Sequence, residues 1–525
     1  MQKMEGNKGF VVRVSLIVAL GGFLMGFDAS VISGVVKFIE PEFDLTKMQL
    51  GWAVSCLTLT STLAMMVAGP LSDKFGRRLV LKYAAVLYAI SAILSAVAPS
   101  FTLLILARMI GGLGVGASLI IAPMYIAEIA PANLRGRMVS FNQLNIVVGI
   151  SVAFFTNYLI LQLSQSSSSF AQMLSFDEYT WRWMLGLETL PALLYFTGLY
   201  FVPRSPRWLA MNGYEEKALE VLTHASGSAN ATKVLNDIKV NLKENVHKSK
   251  AKLADLFKPA LKLVLLIGVV IAILQQITGI NAVFFYAPMI FEQTGIGVDA
   301  SFSQAILVGL TNVIFTLLAL WLIDKLGRKF LLVFGFTGIF VAMSILAYSF
   351  ATATYSIDND TISNLMINIP GVEWSSLQNI TFESDLEIKE ALRNIMGAEL
   401  ADKHTSDIVS QSIQINSWLV LIGILGFVAS FAISVGPVMW VLFSELFPNT
   451  IRGIAISFIG FINSAISFSV QLVFPWQLEN LGNAGTFVIY GVFGLLGLIF
   501  VLIFLPETKG KSLEDLETIL VKSEK

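Results

Sequence analysis

Long apolar segments recur along the whole chain and are separated by polar links. About 20 consecutive apolar residues are needed for a helix that crosses a bilayer, and by that measure the pattern predicts twelve spans. The first six are predicted at residues 12–36, 48–71, 79–98, 102–127, 138–163 and 183–203. The other six are predicted at residues 260–292, 302–323, 330–352, 417–443, 453–474 and 482–505. The predicted fold class is an all-α membrane protein.

Two longer polar segments interrupt this pattern. Residues 204–258 follow span six, and their apolar positions recur at helical spacing, which predicts short amphipathic helices. Residues 356–416 lie between spans nine and ten, and we expect a solvated surface loop there rather than a functional element. Within this insert, Asn359 and Asn379 each begin an Asn-X-Thr sequence. These would be glycosylation acceptors only in a eukaryotic secretory route.

Composition supports the membrane assignment and excludes several classes of function. Hydrophobic residues make up 55% of the 525 residues, charged residues make up 14%, and the mean hydropathy is +0.74. These values exclude a soluble protein with a single core. The net charge of −1 gives no sign of nucleic-acid binding. Cys56 is the only cysteine, so an intramolecular disulfide is excluded and no metal site or cofactor is expected. No HExxH, GxSxG or GxxxxGK[ST] motif occurs, so we do not expect an enzyme.

Lysine and arginine collect in the links on one side of the predicted spans. Links such as residues 164–180 and 293–301, on the other side, contain neither residue. Because positively charged links stay on the cytoplasmic side, we expect a multi-pass protein of the plasma (inner) membrane with both termini in the cytoplasm. No cleavable signal peptide is expected before the first span. The basic links contain Lys74, Arg77, Arg78, Arg135, Arg137, Lys325, Arg328 and Lys329.

Two charged motifs occur twice. DKFGRR at 73–78 returns as DKLGRK at 324–329, and EIAPANLRG at 128–136 returns as ELFPNTIRG at 445–453. The repeat predicts two six-helix, pseudo-symmetric halves, 1–203 and 259–505, joined by the segment 204–258 and followed by a tail, 506–525. Paired halves of this kind place a substrate site near the membrane midplane, between the two halves. Rocking of one half against the other opens this site alternately to the two sides of the membrane.

The repeated motifs also predict a charge network at the cytoplasmic ends of the spans. Acids and bases such as Glu128 with Arg135, or Glu445 with Arg452, can bridge helices when that side is closed. A purely topological role would explain the arginines but not the repeated acids. The predicted network contains Asp73, Arg77, Arg78, Glu128, Arg135, Asp324, Arg328, Glu445 and Arg452.

Span seven carries an unusual polar stretch, QQITGINAVFFY at 275–286, directly after the apolar run LKLVLLIGVVIAIL. At this depth a helix can hide polar groups only against other protein or water. The amides therefore either join neighbouring helices or bind a polar substrate, and both interpretations remain open from the pattern alone.

The order of these motifs resembles the sugar porter family of the major facilitator superfamily over essentially the whole chain. The first half matches through GFDASVISG, DKFGRR, ARMIGGLGVGAS, EIAPANLRGR, WRWMLGLE and VPRSPRWL, and the second through QQITGINAVFFY, DKLGRK, GPVMW, SELFPNTIRG and PETKG. Within the family the chain looks most like bacterial proton-coupled pentose and hexose symporters. It departs from the usual pattern at Met25, Arg204 and Ser464.

The resemblance implies a sugar site between the two halves. Amides suit sugar hydroxyls because they both donate and accept hydrogen bonds without carrying charge, and an indole ring can cover the apolar side of a pyranose. The implied binding residues are Gln143, Gln275, Gln276, Asn281, Asn312, Trp440 and Asn463, with Ile146 and Ile150 as an apolar wall.

The resemblance also implies a proton site at Asp28. Counting along the helices puts Asp28 of span one and Arg108 of span four at similar depth, so we expect them to pair; a static ion pair that only fixes packing is the alternative. Phe285 and Tyr286 are expected either to form an outer gate or to pack in the core. Glu188 is expected to be a helix-packing group.

The implied function is import of a monosaccharide, such as D-xylose or D-glucose, by proton symport through alternating access. The implied partners are the sugar, the proton and the lipid bilayer, with a monomer as the functional unit. A facilitative uniporter would differ at Asp28. A membrane sugar sensor is the other alternative, but only about 20 residues follow the last span, so the chain offers little room for a signalling domain.

Overall fold

The structure is a computed structural model that describes residues 7–247, 253–358, 361–362, 365–366, 369, 372–378, 380–448 and 451–509. The first residues of both Asn-X-Thr sequences, Asn359 and Asn379, lie outside the described residues, as does the tail after residue 509. Side chains are also not described at 241, 243–247, 398–399, 402–403 and 406.

Nine of the twelve predicted spans are continuous helices. In the first half these are Lys8–Glu42, Lys47–Phe75, Arg77–Ala96, Phe101–Ile129 and Arg135–Ser164. In the second half they are Val298–Leu326, Arg328–Ala351, Arg452–Asn480 and Gly482–Phe504. Judged by helix length and hydropathy, eleven spans in the described part of the chain are long and apolar enough to cross a membrane. Span six falls outside that count because its two helices are short.

Three spans are interrupted, which the apolar pattern did not predict. Span six consists of Thr180–Gly186 and Thr189–Gly198, and span ten of Ser417–Ile433 and Val435–Leu446. Span seven consists of Lys262–Ile277, Ile280–Phe285 and Ala287–Glu292. Its first break lies at Gly279, where φ is +92°, a conformation that glycine adopts without steric cost. The break at Gly279 therefore places irregular backbone within the polar stretch of span seven.

The repeated motif forms the same turn in both halves. Gly76 in DKFGRR has φ +94°, and Gly327 in DKLGRK has φ +93°. Each glycine ends one span and begins the next, so the internal repeat of the sequence is also a repeat of backbone geometry. The structural likeness supports the division into two halves.

Small residues allow very close helix packing inside the first half. A Cβ atom added to Gly26 of span one would lie 2.0 Å from the carbonyl oxygen of Ile146 in span five. One added to Gly149 of span five would lie 2.1 Å from the carbonyl oxygen of Phe23. Such close approach of backbones is the usual basis of helix association within a bilayer.

Both ends of the described chain lie at the same end of the bundle. Asn7 donates its backbone N–H to the carbonyl of His224 in the linker, and Glu507 accepts hydrogen bonds from the backbone N–H groups of Arg328 and Lys329. We call this the basic end, because the two glycine turns with their arginines lie there. The opposite end, where residues 356–416 lie, is called the insert end.

The linker is helical, as its periodicity predicted. It contains the helices Pro206–Met211, Glu215–Ser226 and Ser228–His247, followed by the 3₁₀ turns Leu253–Phe257 and Pro259–Leu261. Leu209 and Leu222 lie in a small apolar cluster between these helices. The linker is therefore packed as a small unit of its own at the basic end.

The insert is a folded unit, so the expectation of a solvated surface loop was wrong. Its strands Thr354–Ser356 (β1), Thr381–Phe382 (β2) and Ile413–Gln414 (β3) form an antiparallel sheet in the order β2-β1-β3. The helices Asp385–Met396 and Ala398–Ser412 pack beside it. The large ring of Trp374 is 1% exposed in the centre of an apolar cluster. An overall polar composition concealed enough apolar residues to form this small core.

The insert is attached to the turn between spans eleven and twelve. Asp385 accepts a hydrogen bond of 3.3 Å from the backbone N–H of Asn483. Lys389 pairs with Asp385 at 2.9 Å and donates to the carbonyl oxygen of Leu478 at 3.0 Å. These contacts fix the insert on the second half.

Candidate functional site

The predicted amides of spans seven and eleven form one hydrogen-bonded network. Asn463 Nδ2 donates to Gln275 Oε1 at 2.7 Å, and Gln276 Nε2 donates to Asn463 Oδ1 at 3.1 Å. Asn281 Nδ2 donates to Gln276 Oε1 at 2.8 Å. The helix break at Gly279 separates Gln276 from Asn281 and lets their side chains meet. The structure thus brings together four of the predicted binding residues, and we call them the amide network.

The amide network continues through two residues that sequence reasoning missed. Asn281 Nδ2 also donates to Ser467 Oγ at 2.6 Å, and Gln471 Nε2 donates to the same oxygen at 2.8 Å. Gln471 Oε1 accepts from Thr58 Oγ1 of the first half at 2.9 Å. Asn463, Ser467 and Gln471 are spaced four residues apart along span eleven, which places them on one helix face. That polar stripe was a signal present in the sequence.

Other predicted binding residues lie outside these hydrogen bonds. Asn312 is 3% exposed, and its Nδ2 has no partner among the described residues. Trp440 is 43% exposed, with its ring edge-on to Phe443 at 6.0 Å. Gln143 is half-buried in span five, and Ile146 packs against the glycines of span one. The hydrogen bonds among the described residues therefore join the amides of spans seven and eleven but do not connect them to Gln143, Asn312 or Trp440.

Asp28 and Arg108 lie together, as their depths predicted. The distance from Arg108 Nη1 to Asp28 Oδ1 is 3.6 Å, and both side chains are 2% exposed. Arg108 Nε donates to the carbonyl oxygen of Ala53 at 3.1 Å. Asp28 Oδ2 and Arg108 Nη2 have no hydrogen-bond partner among the described residues. The pair is buried but incompletely satisfied, unlike the amide network.

Glu188 belongs to the same buried charged group. It lies at the break between the two helices of span six, is 2% exposed, and interacts electrostatically with Asp28 and Arg108. Its Oε1 atom has no partner in the described part of the chain. Two carboxyl groups and one guanidinium carry no net charge together when the carboxyl groups hold one proton between them. Burial of net charge in a membrane is costly, so this charged cluster is suited to binding a proton.

Phe285 and Tyr286 are buried where the second and third helices of span seven meet. Their side chains are 7% and 0% exposed. Tyr286 Oη donates to the carbonyl oxygen of Gln471 at 3.1 Å, and its ring centroid lies 5.1 Å from that of Phe474. In this conformation both residues pack in the core, next to the amide network. Their role as a gate stays a prediction.

The charge network of the first half lies within that half. Arg77 pairs with Asp73 at 2.8 Å and with Glu128 at 3.1 Å. Glu128 also accepts a hydrogen bond from Ser205 Oγ at the start of the linker. Arg78 donates to the carbonyl oxygen of Leu199 at 3.0 Å. These contacts join spans two, three, four and six to the linker.

The second half repeats this arrangement. Arg328 pairs with Asp324 at 3.2 Å and with Glu445 at 2.7 Å. Glu445 also accepts from Thr508 Oγ1 at 2.7 Å, just as Glu128 accepts from Ser205 in the first half. The described network therefore consists of two matching clusters, one in each half.

The expected pairs with the later arginines are not formed in this conformation. Arg135 is exposed at the start of span five, and Arg452 Nε donates to the carbonyl oxygen of Phe447 at 3.1 Å. Glu128 and Glu445 instead hold the arginines of the glycine turns. Pairing of Glu128 with Arg135 and of Glu445 with Arg452 stays a prediction for a conformation with a closed basic end.

Side-chain contacts between the halves lie toward the insert end in the described structure. Lys37 of span one forms an ion pair with Glu292 of span seven. Gln165 Nε2 donates to Asp299 Oδ1 at 2.8 Å. A Cβ atom added to Gly51 of span two would lie 1.9 Å from the carbonyl oxygen of Leu472 in span eleven. The halves are thus in close contact at the insert end.

Comparison with known proteins agrees with this architecture. Residues 14–369 and 395–520 match the family described as "Sugar (and other) transporter". The chain belongs to this sugar transporter family. The transporter is 36% identical over 521 residues to an arabinose-proton symporter of Bacillus subtilis, which covers 98% of this chain and 96% of the relative. It is 34% identical over 545 residues to a D-xylose-proton symporter of Escherichia coli, covering 98% and 96%. These relatives are named as transporters and not as enzymes, in agreement with the sequence analysis.

Solved structures confirm the fold of the transporter. The inward open conformation of the xylose transporter XylE from E. coli superposes with a TM-score of 0.73 at 32% identity, covering 97% of this chain and 100% of that one. A partially occluded inward open conformation of the same protein gives 0.71 at 31% identity, covering 96% and 100%. A further match is titled as a major facilitator superfamily proton:xylose symporter. The twelve-helix major facilitator fold is therefore established.

Proposed function

We propose that this transporter imports a monosaccharide, a pentose or a hexose, by proton symport through alternating access. The amide network is the observation that carries the proposal. Its four neutral side chains come from spans seven and eleven, and three of them are 9% exposed or less. A sugar can bind there by exchanging amide–amide hydrogen bonds for amide–hydroxyl bonds. The names of the arabinose and xylose relatives support the same substrate class.

Gln143, Ile146, Asn312 and Trp440 complete the proposed sugar site from the other helices. The unpartnered Nδ2 of buried Asn312 supports this, because a buried donor without a partner is costly unless a ligand satisfies it. The partly exposed indole of Trp440 supports it as well, since an aromatic ring can cover the apolar face of a sugar.

The charged cluster is the proposed proton site. One proton bound to Asp28 neutralises the cluster of Asp28, Arg108 and Glu188 and weakens the attraction between Asp28 and Arg108. That pair is held by one contact of 3.6 Å, so it can loosen without breaking a saturated network. The loaded transporter then reorients, with Phe285 and Tyr286 as the gate at the insert end.

The proposed orientation places the basic end, with both termini, in the cytoplasm of a cell with an inner membrane. The accumulation of arginine and lysine at that end supports it. The contacts at the insert end then correspond to a conformation closed to the outside. The functional unit is proposed to be a monomer, because the sugar site and the proton site are both built within one chain.

The test is a transport assay with purified protein in proteoliposomes. Counterflow of labelled pentoses and hexoses identifies the sugar, and the same assay with an imposed pH gradient tests coupling. We expect saturable exchange of at least one of these sugars and uphill accumulation when the outside is acidic. Exchange without accumulation would identify a facilitative uniporter, and binding without exchange would identify a sensor. The absence of both binding and exchange for every sugar would refute the proposed substrate class.

A further inference from the structure

A cavity of about 180 Å³ lies at the basic end, between the start of span three and the first helix of the linker. None of its described lining residues is an acid. One lining arginine, Arg77, is already neutralised by Asp73 and Glu128. The polar side chains that line it are those of Arg77, Arg78, Lys82, Arg204, Ser205 and Trp208.

Among the residues that the structure describes, the three remaining cations contact only neutral groups. Arg78 Nε and Nη2 donate to the carbonyl oxygens of Leu199 and Tyr200 at 3.0 and 3.1 Å. Lys82 Nζ lies 3.1 Å from the centre of the Tyr200 ring. Carbonyl groups and rings attract a cation without cancelling its charge, and Arg78 and Lys82 repel each other electrostatically. An anion in the cavity would relieve that repulsion.

Arg204 extends the positive charge into a second cavity. Its guanidinium carbon lies 5.1 Å from the centre of the Trp208 ring, and the side chain is exposed. The neighbouring cavity, of about 550 Å³, is lined by Arg78 and Arg204 as well. It adds Lys217 and His224 but only one acid, Glu220. The two cavities form one positive region with little compensating charge.

Large apolar side chains flank this region. Tyr83 of span three is 63% exposed, and Phe201 at the end of span six is 72% exposed. Tyr200, which carries the Lys82 contact, is 56% exposed. Aromatic residues at the end of a span are typical of the boundary between the bilayer and water. The positive region therefore lies at the level where phospholipid headgroups are found.

We propose that Arg78, Lys82 and Arg204 bind a phosphate group at the basic end. Guanidinium groups suit phosphate because their N–H donors match its oxygens in pairs, and lysine adds a compact charge. Basic pockets between spans on the cytoplasmic side are known to hold anionic headgroups. The phosphate can belong to an anionic phospholipid, which the apolar flank favours, or to a soluble phosphate compound. The site does not depend on the proposed sugar transport.

The test measures thermal unfolding of the full-length protein in a neutral detergent. Short-chain phosphatidylglycerol, phosphatidylcholine and inorganic phosphate are titrated separately. We expect a saturable rise in unfolding temperature with phosphatidylglycerol and a smaller one with phosphatidylcholine, whose ammonium group opposes the basic side chains. Lys82→Gln and Arg204→Gln should each raise the half-saturating concentration by about fivefold, the effect of removing one charge near a headgroup.

Matched variants separate binding from packing. Arg137→Gln removes one exposed charge that lies at the basic end but outside the cavity. Its unfolding temperature should rise with phosphatidylglycerol as that of the wild type does. Arg204→Lys keeps the positive charge, so it should keep most of the rise in unfolding temperature with phosphatidylglycerol. If Arg204 acted only by packing on Trp208, Arg204→Lys would lose as much of that rise as Arg204→Gln. The unfolding temperature without added ligand shows whether each variant is folded.

The ligand series distinguishes the two sources of phosphate. A response to phosphatidylglycerol that exceeds the response to phosphatidylcholine, with no response to inorganic phosphate, supports a lipid headgroup. A saturable response to inorganic phosphate that weakens in Arg204→Gln supports a soluble phosphate compound. The proposal is overturned if no phosphate ligand gives a saturable response. It is also overturned if Lys82→Gln and Arg204→Gln respond in the same way as Arg137→Gln.

Discussion

The two halves of the transporter have the same arrangement of helices but bury different kinds of polar side chain. Span one carries Asp28 within an unbroken helix, beside Arg108 and Glu188. Span seven is its counterpart in the repeat, and it is broken at Gly279 and carries neutral amides. One half therefore buries charge, and the other buries groups that change hydrogen-bond partners without changing charge.

This difference fits separate roles for the two halves, with proton binding in the first half and sugar binding in the second. The side chains of the amide network are hydrogen-bonded to one another, so a sugar must replace bonds that already exist. This exchange favours selectivity among sugars over high affinity for any one of them. The charged cluster has carboxylate and guanidinium atoms that lack hydrogen-bond partners among the described residues, so its state depends on whether a proton is present.

Removing one amide should cause the largest loss of sugar binding. Gln276→Ala removes the amide that donates to Asn463 and accepts from Asn281, and with it one of the groups proposed to hold the sugar hydroxyls. We expect the dissociation constant of the sugar to rise by about tenfold to a hundredfold, because a polar group left unpaired in the buried complex costs about 1–3 kcal/mol. Equilibrium binding of labelled sugar measures this loss. Asn480→Ala removes an exposed amide at the end of span eleven, the helix that carries Asn463, and should leave binding unchanged. Equal effects of both variants would remove the amide network from the site.

Closure at the insert end should depend on Gly51. A Cβ there would lie 1.9 Å from the carbonyl of Leu472, so Gly51→Ala must push spans two and eleven apart. Overpacking typically costs about 1–3 kcal/mol, so turnover should fall by about tenfold while sugar binding survives. Gly69→Ala on the same helix is the control, since nothing lies within 4 Å of its Cβ position. Wild-type turnover in Gly51→Ala would show that this contact does not close the transporter.

The ion pair between Lys37 and Glu292 should have a smaller effect on the same closure. Glu292→Gln breaks a contact between the halves, whereas Glu40→Gln breaks the neighbouring pair with Lys47 inside the first half. Because partly exposed pairs contribute about 0.2–1 kcal/mol, we expect a shift of up to about fivefold toward the conformation open at the insert end.

The ratio of half-saturating sugar concentrations for uptake and efflux reports this shift. The double variant Lys37→Glu with Glu292→Lys restores opposite charges and should restore the wild-type ratio. An identical change in Glu292→Gln and Glu40→Gln would assign the effect to net charge at the surface and not to contact between the halves.

The smallest effect is expected at the insert. Asp385→Asn weakens the contact with Lys389 and the attachment to the turn before span twelve. We expect the insert to become more accessible to limited proteolysis, with sugar transport unchanged, because the contacts of its described residues do not reach the charged cluster or the amide network. A loss of transport equal to that of Gln276→Ala would show that the insert acts on the substrate site.

Much of this arrangement could be predicted from sequence because it depends on spacing and repetition. The repeat of DKFGRR predicted matching clusters, and helix rise alone placed Asp28 beside Arg108. Spacing could not reveal which amides meet, because Asn281 reaches Gln276 only through the break at Gly279. The prediction of Glu188 as a helix-packing group did not include its interaction with Asp28 and Arg108, because Glu188 lies at a break in span six that the apolar pattern does not show.

Some features escaped prediction for local physical reasons. Apolar pattern does not distinguish a continuous span from one with a short break, so the interruptions of spans six, seven and ten were not foreseen. The polar average of residues 356–416 concealed the apolar residues that surround Trp374. The acid–base pairs at the basic end depend on which conformation is present, and a sequence does not specify that.

The most direct test of the division between the halves is proton-driven accumulation by Asp28→Asn in proteoliposomes. Asparagine keeps the size of the side chain but cannot carry the charge or exchange the proton. We predict that this variant binds and exchanges sugar in counterflow but no longer accumulates it when the outside is acidic, whereas the wild type does both. Uphill, pH-driven accumulation by Asp28→Asn would contradict the assignment of proton coupling to the first half.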